Sequence, residues 1–226
     1  MPKLTHIKER RIFPSPLDSL EGGIVAVGLE PTVSHLLEAY SFGIFPWPHE
    51  GMPLLWFSPD ERGVLDFNEF HISRSLQKEL SKNSFTCTWD QNFEGVIRGC
   101  QTMARKNEQG TWITDKLLKA YVDFHKAGYA HSVEVWREEE LVGGVYGVYV
   151  GGVFSAESMF FKVSPASKVA LVYLVQSLEE KGLKWIDLQM VSTVSKQFGG
   201  KYISKRDFLR RLRDAQKNPL TIDLQN

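Results

Sequence analysis

Hydrophobic residues recur along the chain with two different spacings, which predict helices in some segments and strands in others. The segment 32–40 places four apolar side chains on one helical face, namely Val33, Leu36, Leu37 and Tyr40. The same spacing predicts further helices over 73–80, 90–101, 115–127, 164–181 and 205–216. Alternating apolar and polar residues predict strands over 131–136, 141–150 and 153–161, and a short strand is expected over 184–188.

The order of these elements indicates the fold class. From residue 131 onward, three strands, a helix, a strand and a helix follow one another, which predicts an α+β fold with the layout of an acetyltransferase-like (GNAT) domain. We assign residues 65–226 to this catalytic domain and residues 1–64 to a small N-terminal α/β domain. The segment 43–65 is rich in proline and aromatic residues, so we expect it to be irregular and packed against the larger domain.

One carboxylate interrupts this hydrophobic pattern. Glu157 lies in the middle of the apolar, aromatic strand predicted over 153–161. Burying an ionised group without a partner costs several kcal/mol, so a strand that keeps one often uses it in a functional site. Asp187 and Gln189 follow on the next short strand, two residues apart and therefore on one face. The sequence thus predicts an active site around these three side chains.

Each of these residues also has a purely structural interpretation. Glu157 is a candidate for an ion pair with Lys162 or Lys168. Asp187 and Gln189 are polar residues that can simply satisfy backbone groups at the end of a strand. The spacing alone leaves both interpretations open.

Composition narrows the class of protein. With 226 residues, of which 42% are hydrophobic, the chain is long enough to bury a sizeable core. No apolar run approaches about 18 residues and the N-terminal segment is charged, so we expect a cytoplasmic protein without a membrane span. The spacing of Cys87 and Cys100 matches no metal or redox motif, so we expect two reduced thiols and no bound metal.

The cations of the chain are unevenly placed. The formal net charge is zero, which argues against an indiscriminate nucleic-acid-binding protein. Residues 1–11 nevertheless carry four Lys or Arg against one Glu, and residues 197–217 carry seven against two Asp. A neutral protein with two basic ends can still hold a polyanion locally.

Sequence blocks spread over roughly residues 13–209 resemble the leucyl/phenylalanyl-tRNA–protein transferase family. They are AYSFGIFPW (39–47), LLWFSPDERGVL (54–65), HISRS (71–75), GTWIT (110–114), HSVEVW (131–136), ESMF (157–160), ASK (166–168) and the pair Asp187 and Gln189. Each block is weak alone, whereas their shared order along nearly the whole chain is specific.

The resemblance implies an aminoacyltransferase. Such enzymes take leucine or phenylalanine, with methionine as a third candidate, from aminoacyl-tRNA. They join it to a protein whose N-terminus is arginine or lysine, which creates a degradation signal in bacteria. The resemblance also implies a small N-terminal domain on an acetyltransferase-like domain, without a cofactor.

The reaction of that family assigns roles to the polar residues. An α-amine attacks the ester carbonyl of aminoacyl-tRNA, and the ribose hydroxyl leaves. The resemblance implies that Gln189 accepts a hydrogen bond from the amine, while Asp187 orients that amide or helps remove the proton. Glu157 is expected to hold the positive charge of the acceptor or to position the terminal adenosine. Because the ester is already activated, positioning can supply much of the acceleration.

The remaining site candidates follow from what the two substrates need. For an apolar pocket that accepts leucine or phenylalanine we select Val145, Phe154, Met159, Leu171, Val172 and Val175. For stacking on the single-stranded tRNA end we select Trp56, Phe57 and Trp112. For the tRNA phosphates we select two helical stripes, Arg74, Lys78 and Lys82, and Arg206, Arg210 and Arg213. Ordinary core packing or a solvated helix face is the alternative for each.

The chain departs from the family pattern at three places. The loop at 29–31 is one residue shorter, Val194 stands where relatives commonly have His, and Gly200 stands where they have Ala. A histidine at position 194 is therefore not the general base. Two other functions stay open. One is an acyl-CoA-dependent N-acetyltransferase, against which the lack of glycine in 160–167 argues; the other is a non-catalytic tRNA-binding module.

Overall fold

The structure is a computed structural model that describes residues 11–103, 111–217 and 219–220. Its strands are β1 (Ile24–Val27), β2 (Phe45–Trp47), β3 (Leu55–Phe57), β4 (Glu61–Asp66), β5 (Thr86–Trp89), β6 (Ala130–Arg137), β7 (Glu140–Val150), β8 (Val153–Phe161), β9 (Trp185–Gln189) and β10 (Lys201–Ser204). Its α-helices are α1 (Val33–Ser41), α2 (Arg74–Leu80), α3 (Phe93–Thr102), α4 (Asp115–Lys126), α5 (Ala166–Glu180), α6 (Thr193–Gln197) and α7 (Lys205–Lys217). The helices and strands that the periodicity predicts are confirmed, with shifted ends.

Polar side chains fix the starts of several helices. Thr32, Ser73 and Thr114 each accept a backbone N–H from the first turn of α1, α2 and α4. Helix α3 begins later than predicted because Asn92 caps it through the N–H of Gly95. Helix α5 differs, since Pro165 occupies its capping position and makes no side-chain capping bond.

The larger sheet has seven strands in the order β10-β4-β9-β8-β7-β6-β5. Its neighbours are antiparallel except for β8 and β9, which run parallel and are joined by α5, as a parallel pair requires a crossover. Helices α1, α3 and α4 cover one face, where Tyr146 and Val148 of β7 point. Helices α2 and α5 cover the other face, where Val145 of β7 and Ile186 of β9 point. The observed class is therefore mixed α+β.

A smaller three-stranded sheet, in the order β1-β3-β2, lies in the N-terminal part of the chain. The prediction of an irregular segment over 43–65 is wrong, because β2, β3 and β4 all lie within or across it. Proline is tolerated here because Pro46 belongs to β2, an edge strand of the small sheet. The boundary expected near residue 64 falls inside β4, a strand of the larger sheet.

Helix α7 packs on strands β4 and β8 of the larger sheet. Phe208, Leu209 and Leu212 pack on Val64 of β4 and Val153 of β8 in a separate small core. Phe208 also fills the space beside Gly43, the residue at the end of α1 that has a φ of 72°. In the described part of the chain, no helix has both the length and the apolarity to cross a membrane.

The close approach of α7 to the end of α1 predicts a sharp effect of substitution at Gly43. A Cβ at this position would lie 2.6 Å from Cε1 of the buried Phe208 ring. We expect Gly43→Ala to lower the free energy of unfolding by about 2–4 kcal/mol, from backbone strain and overpacking together.

Gly28 is the matched control, because its φ is 81° and nothing lies within 4 Å of its Cβ position. Gly28→Ala is expected to cost about 1 kcal/mol, from strain alone. Urea unfolding of both variants measures the difference, and equal losses would show that the contact with Phe208 carries no energy.

Candidate active site

A buried ion pair joins β4 to β9 at the centre of the molecule. Nε of Arg62 donates to Oδ1 of Asp187 at 2.8 Å, and Nη2 donates to Oδ2 at 2.7 Å. Both side chains are only 1% exposed. This two-point geometry fixes the relative position of the two strands as well as their charges.

The Arg62 guanidinium contacts two aromatic rings and one backbone carbonyl besides Asp187. Its central carbon lies 4.7 Å from the ring centroid of Phe45 and 4.4 Å from that of Phe208. Its Nη1 donates to the carbonyl oxygen of Gly43 at 3.0 Å. The arginine therefore ties the end of α1, the edge strand β2 and helix α7 to the ion pair.

Asp187 has little capacity left for chemistry of its own. Besides Arg62, it accepts the hydroxyl of Ser155 at 3.0 Å and the backbone N–H of Gln189 at 2.8 Å. The expected role of orienting the Gln189 side-chain amide is not seen, because the bond goes to the Gln189 backbone. Asp187 holds the end of β9 in place, and Gln189 sits there with a φ of 58°.

Two β-bulges turn the polar side chains toward each other. The pairing of β7 with β8 changes register between Tyr146 and Gly147, which leaves Glu157 as an extra residue. The pairing of β4 with β9 changes register between Gly63 and Val64, which leaves Leu188 extra. Bulges redirect side chains locally, and here Nε2 of Gln189 donates to Oε1 of Glu157 at 2.5 Å.

Glu157 is surrounded by neutral hydrogen-bond donors. The hydroxyl of Tyr40 donates to its Oε1 at 2.7 Å, and that of Tyr121 donates to its Oε2 at 3.3 Å. The two tyrosine oxygens also lie 2.6 Å apart. Because Tyr40 belongs to α1 and Tyr121 to α4, elements from both parts of the chain converge on this carboxylate.

The surroundings change the pKa values of Glu157, Tyr40 and Tyr121. Burial raises the pKa of Glu157 to about 7, and the nearby charge of Asp187 acts in the same direction. Hydrogen bonds from Tyr40 and Gln189 oppose this rise. Burial also raises the pKa of Tyr40 and of Tyr121 well above the ordinary value, so both phenols stay protonated donors. Glu157 thus changes charge near neutral pH.

The alternative of a structural ion pair for Glu157 is wrong. Lys162 bonds to Glu140 at 3.1 Å, and Lys168 bonds to the side chain of Gln197 at 3.1 Å. Asp187 does satisfy a backbone N–H at a strand end, that of Gln189, but it also pairs with Arg62. The side chain of Gln189 donates to Glu157 instead.

The residues selected for the amino-acid pocket lie mostly in the core beneath α5. Five of them are at most 2% exposed, namely Val145, Phe154, Leu171, Val172 and Val175, and Met159 packs beside them with part of its surface open. Ile186 and Leu188 face the same cluster, so Asp187 and Gln189 point to the opposite side of the sheet. The pocket role of these six residues stays a prediction.

The three aromatic candidates differ in how accessible they are. Trp56 is 0% exposed and donates from Nε1 to the carbonyl of Leu29, so stacking on a base would require it to leave the core. Phe57 packs partly exposed against Phe45 and Trp47. Trp112 is partly exposed as well, while Gly110 of its sequence block lies outside the described residues.

Both predicted basic stripes face solvent. Arg74, Lys78 and Lys82 are exposed along and just after α2, where Lys82 pairs with Glu79 at 2.7 Å. On α7, Arg206, Arg210 and Arg213 are exposed, and Arg210 pairs with Asp207 at 2.8 Å. Binding of tRNA by these six side chains stays a prediction.

Four residues of the polar cluster were not selected from the sequence: Tyr40, Arg62, Tyr121 and Ser155. Arg62 and Tyr40 do lie within the family-like blocks 54–65 and 39–47. Asp187 lies in the apolar strand 184–188, and a buried carboxylate needs a cation beside it. This requirement is the feature of the sequence that could have indicated a partner such as Arg62. Within the described ranges, no three His, Cys, Asp or Glu side chains are grouped so that they could hold a metal ion.

Sequence comparison gives matches over most of the chain. The family described as leucyl/phenylalanyl-tRNA protein transferase matches residues 64–213, and its N-terminal domain matches residues 30–60. A distant structural likeness is found to the structure of L-PGS from Bacillus licheniformis, with 16% identity and a TM-score of 0.40. That likeness covers 80% of this chain and 61% of the other.

Several curated leucyl/phenylalanyl-tRNA–protein transferases are similar to this chain. The protein from Oleidesulfovibrio alaskensis is 42% identical over 95% of this chain and 88% of its own length. The protein from Syntrophotalea carbinolica is 47% identical over 93% of this chain and 92% of its own length. That from Hydrogenovibrio crunogenus is 48% identical over 82% of this chain and 73% of its own. This chain therefore belongs to the leucyl/phenylalanyl-tRNA–protein transferase family.

Proposed function

We propose that this enzyme transfers leucine or phenylalanine from aminoacyl-tRNA to proteins whose N-terminal residue is arginine or lysine. The product carries a new peptide bond and a residue that marks it for degradation. The carboxylate of Glu157, beside the amide of Gln189, is the observation that carries the acceptor half of the proposal. We place the enzyme in the cytoplasm, where charged tRNA is available.

The larger sheet supports an acetyltransferase-like arrangement of the site. Strands β8 and β9 run parallel with Ser155 opposite Asp187, and α5 connects them. Glu157 follows Ser155 along β8, and Gln189 follows Asp187 along β9. We expect the donor ester and the acceptor amine to meet beside these two side chains. In this arrangement the ion pair between Arg62 and Asp187 fixes β9 against β4, and the hydroxyl of Ser155 connects Asp187 to β8.

The chemistry begins with the acceptor amine, which arrives as an ammonium ion. The Glu157 carboxylate attracts this cation and takes its proton, for which a pKa of about 7 is well matched. Because Nε2 of Gln189 already donates to Glu157, its amide oxygen is the group that accepts a hydrogen bond from the amine. The Tyr40 and Tyr121 hydroxyls hold the carboxylate in position.

The bond changes then balance without a metal ion or a covalent enzyme intermediate. The amine nitrogen forms a bond to the ester carbonyl carbon, and the bond from that carbon to the ribose oxygen breaks. The ribose oxygen leaves with the proton that Glu157 took from the ammonium ion, and the second proton of the nitrogen passes to the regenerated Glu157 carboxylate and from there to solvent. Orientation of the two substrates accounts for a large part of the acceleration, since the ester is already activated.

A transfer assay tests the proposed function directly. The enzyme is incubated with Leu-tRNA or Phe-tRNA and with peptides that begin with Arg, Lys, Asp or Ala. We expect transfer to the Arg and Lys peptides, because their side-chain charge is what the acceptor site selects. Absence of transfer to these two peptides contradicts the proposal, and transfer to the Asp peptide contradicts its acceptor rule.

A Gln189→Ala variant in the same assay connects activity to this site. We expect kcat/KM to fall at least about tenfold, which corresponds to about 1.4 kcal/mol of transition-state stabilisation. Thr88→Ala is a control that removes a hydroxyl bonded to Glu134 and leaves the Glu157 cluster untouched. An equal effect of both substitutions would remove Gln189 from the mechanism.

The pKa of Glu157 predicts how activity depends on pH. A carboxyl group with a pKa of about 7 is neutral below that pH and anionic above it, so kcat should rise as the pH increases through 7. In Glu157→Gln this rise should disappear, while the later rise from the acceptor amine near pH 8 remains. A profile that keeps its rise near 7 in the variant would exclude Glu157 as the titrating group.

The pH dependence of stability provides a second test with the same variant. Burial raises the pKa of Glu157 in the folded state from its ordinary value of 4.5 to about 7, so the folded state binds the proton more tightly than the unfolded state does. The parent enzyme therefore loses stability as the pH rises from 4.5 to 7, and Glu157→Gln does not. Urea unfolding at pH 5 and pH 8 should show a relative gain by the variant at the higher pH.

A further inference from the structure

A cleft separate from the Glu157 cluster lies between the N-terminal segment, the end of α1 and helix α7. Its volume is about 340 Å³. Its lining includes two buried apolar side chains, Leu209 and Leu212, and two arginines, Arg11 and Arg213. These two cations come from the two ends of the described chain.

Arg11 is held in a fixed orientation. Its guanidinium carbon lies 3.7 Å from the ring centroid of Phe42. The next two residues are anchored as well, because the backbone N–H groups of Ile12 and Phe13 donate to Oε1 of Glu38 at 2.7 and 3.0 Å. A guanidinium stacked by its flat face keeps its N–H edge available for an acceptor in the same plane.

Arg213 is fixed through the helix that carries it. Nε2 of Gln216, one turn later, donates to the carbonyl oxygen of Ser41 at 2.6 Å and ties α7 to α1. Two other arginines of α7 form ion pairs, Arg210 with Asp207 and Arg211 with Asp66. Across residues 11–103, 111–217 and 219–220, by contrast, no carboxylate forms an ion pair with Arg11 or Arg213.

The charge distribution of the sequence gives this pair a partner of defined chemistry. The excess of cations in 1–11 and the larger excess in 197–217 are far apart in the chain. The structure places one cation from each segment, Arg11 and Arg213, in the lining of one cleft. Two arginines that form no ion pair among the described residues, beside apolar side chains that weaken competition from water, suit a phosphate group.

We propose that this cleft binds a backbone phosphate of the donor tRNA, with Arg11 and Arg213 as its ligands. The inference rests on the tRNA-dependent transfer proposed above. The turn of α1 that supplies Tyr40 to the Glu157 cluster also supplies Ser41 and Phe42 to the cleft. A phosphate held there therefore anchors the body of the tRNA close to the segment that carries the catalytic cluster.

Two aminoacyl donors of different size distinguish phosphate binding from a structural role of the two arginines. One is Leu-tRNA, and the other is the leucyl ester of adenosine, which has the reacting end without any phosphate. For the double variant Arg11→Gln/Arg213→Gln we expect kcat/KM with Leu-tRNA to fall at least about tenfold. The slope of log(kcat/KM) against log(salt) should become shallower by about 1–2 units. Transfer from leucyl-adenosine should stay within about twofold of the parent.

Arg98→Gln is the matched control, because Arg98 is an exposed arginine on α3 that already pairs with Glu94 at 2.6 Å. It should leave both donors and the salt slope unchanged. A double variant with parental efficiency on Leu-tRNA overturns the proposal, and so do equal losses with both donors, which indicate a structural role. A rise confined to the KM of the acceptor protein also overturns it, in favour of an acidic protein segment.

The test also keeps this proposal distinct from the proposed function. If the parent enzyme transfers leucine from neither donor, the function itself fails. If the parent is active and the double variant loses only the tRNA-dependent part, both the function and the phosphate site are supported.

Discussion

The buried ion pair between Arg62 and Asp187 is the constraint on which the rest of the site depends. Burying two charges costs several kcal/mol, and their attraction repays this only when further hydrogen bonds satisfy both groups. Here Asp187 also accepts bonds from Ser155 and from the backbone of Gln189, and Arg62 bonds to the carbonyl of Gly43. A pair connected in this way specifies geometry more than it adds stability.

The geometry that the pair specifies is unfavourable in itself. Gln189 has a positive φ of 58°, and Glu157 is an extra residue in a bulge with its pKa raised to about 7. Each of these features costs free energy, and such costs concentrate where a protein needs a particular arrangement of groups. The Tyr40 and Tyr121 hydroxyls compensate part of the cost by donating to the carboxylate. The apolar cores on both faces of the sheet offset the free-energy cost of the site.

Periodicity predicted helices such as α4 and α7 because the buried side chains of each lie on one face. It failed over 43–65, where β2 and β3 are three residues each and are held by tertiary packing. The polar trio Glu157, Asp187 and Gln189 was visible as polar residues in apolar strands. The bulges that bring two of them together leave no trace in an alternating pattern. Arg62 acts through a partner 125 residues away, so its role depends on a contact that spacing does not encode.

The central claim is that Arg62 and Asp187 act as one coupled buried pair on which the site depends, and a double-mutant cycle on the free energy of unfolding tests that coupling most directly. Arg62→Met and Asp187→Leu each leave one buried charge unpaired, so each should lower stability by about 3–5 kcal/mol. The double variant has no unpaired charge, and it should recover at least about 2 kcal/mol relative to the sum of the single losses. Additive losses, with no recovery in the double variant, would contradict the account.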